Sequence, residues 1–167
     1  MAKEGRETQT GPILKRTTLY DFHEEQGARL LPDSEPRPLL TYGDVPGEYQ
    51  AAKSAWIALD ETDRGAVHAK GADAATFLHG LLANEVRNLE VGSELPNLLL
   101  DAKGKVRFVF ELRRLASDEF LMSAEPGQAG ALLQALDMYP FSEDVTLTEV
   151  TEEHSPITVA GPAAAEA

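Results

Sequence analysis

The chain has 167 residues, 43% of them hydrophobic, enough for one domain, or one and part of a second, with an ordinary buried core. Its 28 acidic residues outnumber 15 basic ones for a formal net charge of −13 at pH 7, and such a surface repels the phosphates of nucleic acids and anionic membranes. Cysteine is absent, which excludes disulfides and thiolate chemistry within the chain, and no apolar run has the length of a membrane span or a secretory core, so the expected location is cytoplasmic.

Residues 1–13 are polar and rich in Gly and Thr, and they read as a disordered tail. A short helix is predicted over Leu19–Gly27 with Gly27 as its C-cap. Pro32–Pro38 (PDSEPRP) carries too much proline for a helix or inner strand and reads as a loop. Gly47–Ile57 looks helical, with Tyr49, Ala52 and Trp56 spaced to share a side, and Ala66–Lys70 looks like a short strand. Asp73–Val86 is the best helix in the chain. Ala74, Phe77, Leu78, Leu81 and Leu82 form its apolar stripe, and Asp73 sits in the first turn, where negative charge is favoured.

Strands follow at Asn97–Asp101, Lys105–Arg113 and Glu119–Ser123. The first two are joined by a tight turn at Asp101–Gly104, where Gly104 supplies the positive φ that such hairpins need. A helix at Gly127–Met138 carries Leu132, Leu133 and Leu136, and strands at Val145–Val150 and Ile157–Ala160 come next. The final VAGPAAAEA reads as strand, Gly-Pro turn and first turn of a helix. The end therefore falls inside an element, and a truncated chain is expected. Strand–helix–strand–strand–strand–helix–strand is an α+β order with ferredoxin-like elements, its helices packed on one face of a mainly antiparallel sheet.

The hairpin LLLDAKGKVRFVFEL (98–112) is the most two-faced stretch in the chain. Alternation puts Val106, Phe108, Phe110 and Leu112 on one side, with Lys105, Arg107, Glu111 and Arg113 largely on the other. Such a strand lines a core or a pocket, and alternation cannot separate the two. Motifs with catalytic chemistry are sparse. His23-Glu24-Glu25 and Glu152-Glu153-His154 read as solvated surface, because adjacent residues do not converge on one ion. His68 and His79 have no neighbouring nucleophile, and Arg113-Arg114 reads as an exposed strand end. No phosphate loop or dinucleotide fingerprint occurs, and no catalytic residue or metal ligand is named.

Resemblance carries the reading further. LYDFHEEQGARL (19–30) is similar to the opening of the glycine-cleavage T-protein, or aminomethyltransferase, family. Pro38-Leu39-Leu40-Thr41-Tyr42 resembles that family's Pro-x-x-Tyr segment, and Glu48-Tyr49, Ala52 and the Leu59-Asp60 that would close the helix follow at the expected spacing. GADAATFLHGLLANEV (71–86) resembles its Gly-Pro-Asp-Ala…Asn-Asp-Val helix, LLLDAKGKV its Leu-Leu-Asn-x-x-Gly-Gly-Val hairpin, and VAGPAAAEA its Gln-Gly-Pro-x-Ala segment. Six motifs stand in the family's order from about residue 14 to residue 167, so residues 14–167 are expected to form the N-terminal part of a T-protein-like folate-binding domain.

True T-proteins move an aminomethyl group from a lipoyl arm to tetrahydrofolate and release ammonia. A second, YgfZ-type branch keeps the folate-binding scaffold, is linked to iron–sulfur cluster maintenance and lacks the transfer chemistry. LDMYPFSEDVTLTEVTEE (136–153) resembles this second branch. The family's Asp-Asp pair falls at Phe108 and Val109, its strand-head tyrosine at Pro96, its Phe-Ala-Gly-Trp loop at Asp33–Pro36, and the His of its Asp-x-Ser-His at Asp63. A phenyl ring cannot polarise a developing cationic nitrogen as a carboxylate does. The resemblance therefore implies a YgfZ-type tetrahydrofolate-binding protein with iron–sulfur proteins as partners, and Phe108, Phe110, Leu112 and Tyr42 as cofactor-binding residues. Phe110 at mid-strand is expected to be core and Phe108 a pocket wall. An aminomethyltransferase with an unusual site is the alternative, and an interaction module that binds no folate is the third reading.

Overall fold

Period-two alternation through the middle of the chain builds the main sheet, and nearly everything else is arranged about it. The structure, a computed structural model, describes residues 17–31, 39–139 and 142–166. The expected tail at 1–13 and the Pro32–Pro38 loop lie outside the described residues. In chain order the elements are α1 (Tyr20–Glu25), β1 (Arg29–Leu30), β2 (Leu39–Thr41), α2 (Val45–Ser54), β3 (Ile57–Asp60), β4 (Gly65–Lys70) and α3 (Ala74–Leu81). There follow β5 (Glu94–Leu100), β6 (Val106–Ala116), β7 (Glu119–Ala124), α4 (Ala129–Leu136), β8 (Thr146–Glu149) and β9 (Ile157–Ala160).

The large sheet has the order β5-β6-β7-β4-β8, and β1-β2 and β3-β9 form two small ribbons; all pairings are antiparallel. Without β5, the run β4–α3–β6–β7–α4–β8 is the split βαβ arrangement of ferredoxin-like folds, and β5 extends it along the β6 edge. The expected α+β architecture is present.

Register fixes which side chains share a face. Leu95, Leu112, Met122 and Val67 stand opposite one another across four strands. The neighbouring row is Asn97, Phe110, Ala124 and Gly65. Onto these rows pack Phe77 and Leu78 of α3 and Leu132 and Leu136 of α4, giving one buried cluster. Phe110 is 1% exposed and Leu112 fully buried. Phe108 lies on this same helix-covered face, half-buried against the cluster, with the Arg107 guanidinium 5.5 Å from its ring centroid. A bulge at Leu99–Leu100 turns Val106 outward, so it leaves the apolar row that alternation gave it. Gly104 adopts φ +77° in the Asp101–Gly104 turn, as expected.

Several elements differ from the expected pattern. The helix expected to reach Val86 stops at Leu81, because the next residues pair with β5 instead. Ala83 N–H donates to Leu98 O at 3.0 Å, Asn84 N–H to Asn97 Oδ1 at 3.0 Å, and Asn84 Nδ2 to Pro96 O at 2.7 Å. The helix expected at Gly47–Ile57 starts earlier, at Val45, where the Asp44 side chain accepts from Gly47 N–H at 3.1 Å and Pro46 occupies the first turn. It ends at Ser54, and none of its residues is buried. Ile57–Asp60 forms β3 rather than closing that helix, because β9, about a hundred residues away in sequence, supplies its hydrogen-bonding partner. The turn after β9 needs glycine at 161: φ is +129° and a Cβ would lie 2.4 Å from Ala55 O.

Phe110→Ala should cost about 3–5 kcal/mol, the usual range for removing a phenyl ring from a packed core. Phe108→Ala, at the half-buried end of the same row, should cost about 1–2 kcal/mol. Urea unfolding of the two variants checks the ordering, and equal losses would contradict the packing described.

Candidate functional site

The sheet's second face, opposite the helices, carries Glu94, Pro96, Leu98, Val109, Glu111, Arg113, Leu121 and Ser123, and along β5 and β6 it is largely open to solvent. Val109 is 53% exposed and stands directly opposite Leu98, while Glu111 stands opposite Pro96. At the β7 side of this face the His154–Pro156 segment bounds a cavity of about 230 Å³ lined by Glu94, Glu111, Arg113, Leu121 and Ser123. Arg113 is committed to Glu94, its Nε donating to Oε2 at 2.9 Å. The Glu111 carboxylate has no hydrogen bond or ion pair among the described residues, whereas that of Glu94 is engaged by Arg113 through Oε2.

A second cavity, about 350 Å³, lies between β2, the start of α2 and β3, and Tyr42, Glu48, Asp60 and Asp63 are among its lining residues. Behind its rim runs a chain of side chains. Tyr42 Oη lies 2.6 Å from His23 Nδ1, and His23 Nε2 lies 2.9 Å from Asp60 Oδ2. His23 is 6% exposed and the Asp60 side chain 3%. Burial opposes charge on Asp60, yet hydrogen bonds from the Thr62 backbone and hydroxyl, His23 and Thr17 outweigh it and hold the carboxyl below its ordinary value. Tyr42 moves the other way: burial, then the Asp60 and Glu48 charges, raise the phenol above its ordinary value and keep it protonated. Glu48 accepts from Thr41 Oγ1 at 2.7 Å and from Tyr42 N–H at 2.8 Å, which fixes the strand end that carries the phenol.

The sequence-derived site residues fall in three places. Phe110 and Leu112 are core, Phe108 is at the edge of that core, and none of the three lines either cavity. Tyr42 lies at the second cavity, which shares no lining residue with the open sheet face. Asp63 also lines the second cavity; burial raises its carboxyl above the ordinary value. His23, read from its neighbours as a surface residue, is buried and doubly hydrogen-bonded. Arg114, read as an exposed strand end, is half-buried: it lies 5.3 Å from the Phe120 ring centroid and donates to the carbonyls of Arg87, Leu89, Ala116 and Ser117. Sequence reasoning missed Glu111, Asp60 and His23 as site residues. Strand parity with Pro96 was the available signal for Glu111.

A split βαβ sheet with β5 added at its edge, one face under two helices and the other open, is the architecture of a recognised domain family. The family model described as the GCVT N-terminal domain matches residues 19–167, and the chain belongs to that family. It is similar to the aminomethyltransferase of Pelodictyon phaeoclathratiforme, at 28% identity over 152 residues, covering 90% of this chain and 42% of that protein. It is also similar to sarcosine oxidase subunit alpha of a Corynebacterium species (strain P-1), at 34% identity, covering 87% of this chain and 16% of the relative. The crystal structure of glycine cleavage system aminomethyltransferase T from Bartonella henselae superposes with a TM-score of 0.81 at 26% identity, over 92% of this chain and 42% of that one. The chain thus spans less than half the length of these relatives. Among the described residues no helix is long and apolar enough to cross a membrane.

Because the Asp60 carboxyl is depressed in the folded state, its contribution is fully present above the unfolded value, about 3.9, and is lost as pH falls through the lower folded value. Asp60→Asn should therefore be less stable than the parent at pH 7, with the gap narrowing below about pH 4. Thermal unfolding of both proteins from pH 7 to pH 3 measures it; a gap that stays constant would remove Asp60 from this role.

Proposed function

We propose that this chain supplies one wall of a tetrahydrofolate site in a protein of the aminomethyltransferase type, and that the wall is the open face of β5 and β6. The observation that carries the reading is a matter of register. Pro96 and Val109, where the resemblance places a tyrosine and a carboxylate of the folate site, share that face, and Glu111 stands on it directly opposite Pro96, its carboxylate without a partner among the described residues. Phe108, the other position of the acidic pair, points to the helices.

A reduced pterin is a flat ring with an apolar face and N–H donors along its edge. Leu98 and Val109 offer it an apolar surface, and Glu111 offers an acceptor one residue pair further along β6. These residues fit one side of such a ring. A carboxylate held beside the folate nitrogens stabilises positive charge as it develops there, and fixed groups of this kind are the strongest electrostatic contributors to transfer reactions. The aminomethyltransferases among the relatives favour transfer of a one-carbon unit as the activity of the whole protein.

A second reading is supported by Val109 itself. With an aliphatic side chain at the carboxylate position and Pro96 at the tyrosine position, the face could hold folate without driving transfer. That is the YgfZ-type role, a cytoplasmic folate-binding protein linked to iron–sulfur proteins.

Both readings require folate on the open face, and a single set of variants tests them. Titration of the purified protein with tetrahydrofolate should show saturable binding that Val109→Lys abolishes and Phe108→Ala leaves within about twofold. If the protein is a transferase, aminomethyl transfer from a lipoylated carrier should fall about 10²–10³-fold in Glu111→Gln, the usual cost of removing one electrostatic stabiliser. Binding without turnover assigns the second reading. Absence of binding, or binding indifferent to Val109→Lys, overturns both.

A further inference from the structure

The Tyr42–His23–Asp60 chain holds a phenol oxygen at the rim of the second cavity. Asp60, kept ionised by its hydrogen bonds, can only accept, so His23 Nε2 is the donor of the 2.9 Å bond. Nδ1, on the other side of the imidazole, lies 2.6 Å from the Tyr42 hydroxyl, which is held as a phenol. A phenol oxygen has two lone pairs, so whichever of the two atoms carries the proton of that bond, Tyr42 Oη keeps a lone pair for a donor from the cavity.

That oxygen belongs to a residue 47% exposed, at the rim of a cavity of about 350 Å³, within the size range of small-ligand sites. Edge-on contact of the His23 and Tyr42 rings, with centroids 5.9 Å apart, and the Glu48 bond to Tyr42 N–H hold the phenol in place before any ligand arrives. Every ionisable side chain among the cavity's lining residues other than Tyr42 is a carboxylic acid: Glu48, Asp60 and Asp63. Asp63 is distinct from the other two. Burial and the nearby Asp60 charge push its carboxyl upward, and no side chain among the described residues donates to it. A bound donor would relieve that penalty. The rest of the lining includes Leu39, Ile57 and Leu59, which suit an apolar stem.

We propose that this cavity binds a small amine in its ammonium form on a short apolar stem, the N–H groups donating to Tyr42 Oη and the Asp63 carboxylate. The site is separate from the open sheet face and does not depend on folate binding there. Neutral alcohols could donate one bond but would leave the carboxylates without a counter-charge, and anions are repelled by both the cavity and the protein's net charge of −13.

The test is a two-dimensional amide NMR titration of the protein with n-butylammonium chloride, n-butanol and sodium butyrate at matched ionic strength. Saturable shifts are expected at Tyr42, Ala58 and Asp60 with the ammonium probe, with at least tenfold weaker binding of the alcohol and none of the carboxylate. Tyr42→Phe keeps the ring and the His23–Asp60 pair but removes the hydroxyl, and with it both the proposed acceptor and the bond to His23 Nδ1, so the ammonium affinity should fall about tenfold. Asp63→Asn, at a second lining position, should weaken it similarly and gives an independent reading if Tyr42→Phe is poorly folded. Absence of saturable shifts at these amides, equal affinity for alcohol and ammonium, or an affinity that neither variant changes would overturn the proposal.

Discussion

The structure depends on one row of side chains: Leu95, Leu112, Met122 and Val67, opposite one another across β5, β6, β7 and β4. Three of the four are fully buried, and α3 and α4 close over them. A strand's side chains alternate strictly, so once this row faces the helices every second residue of the same strands must face the other way. The apolar core and the open face of Pro96, Val109, Glu111 and Arg113 are therefore two outcomes of a single register. Shifting β6 by one residue would exchange them.

That coupling explains why the family's acidic pair is informative here. Adjacent positions on a strand cannot both reach one ligand. Phe108 is spent on the edge of the core, and only Val109 addresses the solvent side. On that side Glu111, opposite Pro96, is the carboxylate next to Val109 along the strand. The fold of the family's N-terminal domain is present, while Phe108 and Val109 stand where the resemblance places the acidic pair.

The smaller layer formed by α1, the β1–β2 ribbon and β3 is held by a different kind of interaction. α2 buries no residue, and the β3–β9 ribbon leaves Leu59, Ile157 and Val159 exposed. Here a buried polar network provides the hold. Thr62, 1% exposed, accepts from Thr18 N–H at 2.7 Å and also serves Asp60, while His23 joins α1 to both β2 and β3. Fully satisfied networks in low-dielectric surroundings are directional and specify one geometry. The same network fixes the Tyr42 hydroxyl beside its cavity.

The sequence by itself determined the features whose causes are local: the Asp101–Gly104 hairpin with glycine at positive φ, the alternation of β6, the apolar stripes of α3 and α4, and the α+β order that follows from them. Family membership was legible too, because short motifs keep their order along the chain. What the tertiary structure decided is everything that needs a distant partner. β3 exists because β9 pairs with it, and α3 stops where Ala83 and Asn84 find β5. His23 is buried because Asp60 and Tyr42, distant in sequence, supply its hydrogen bonds, and Arg114 turns inward because four carbonyls and Phe120 receive it. Alternation divides a strand into two faces but carries no label for which one the helices will cover. Only the packing of α3 and α4 assigns it, and with it the side on which a ligand can lie.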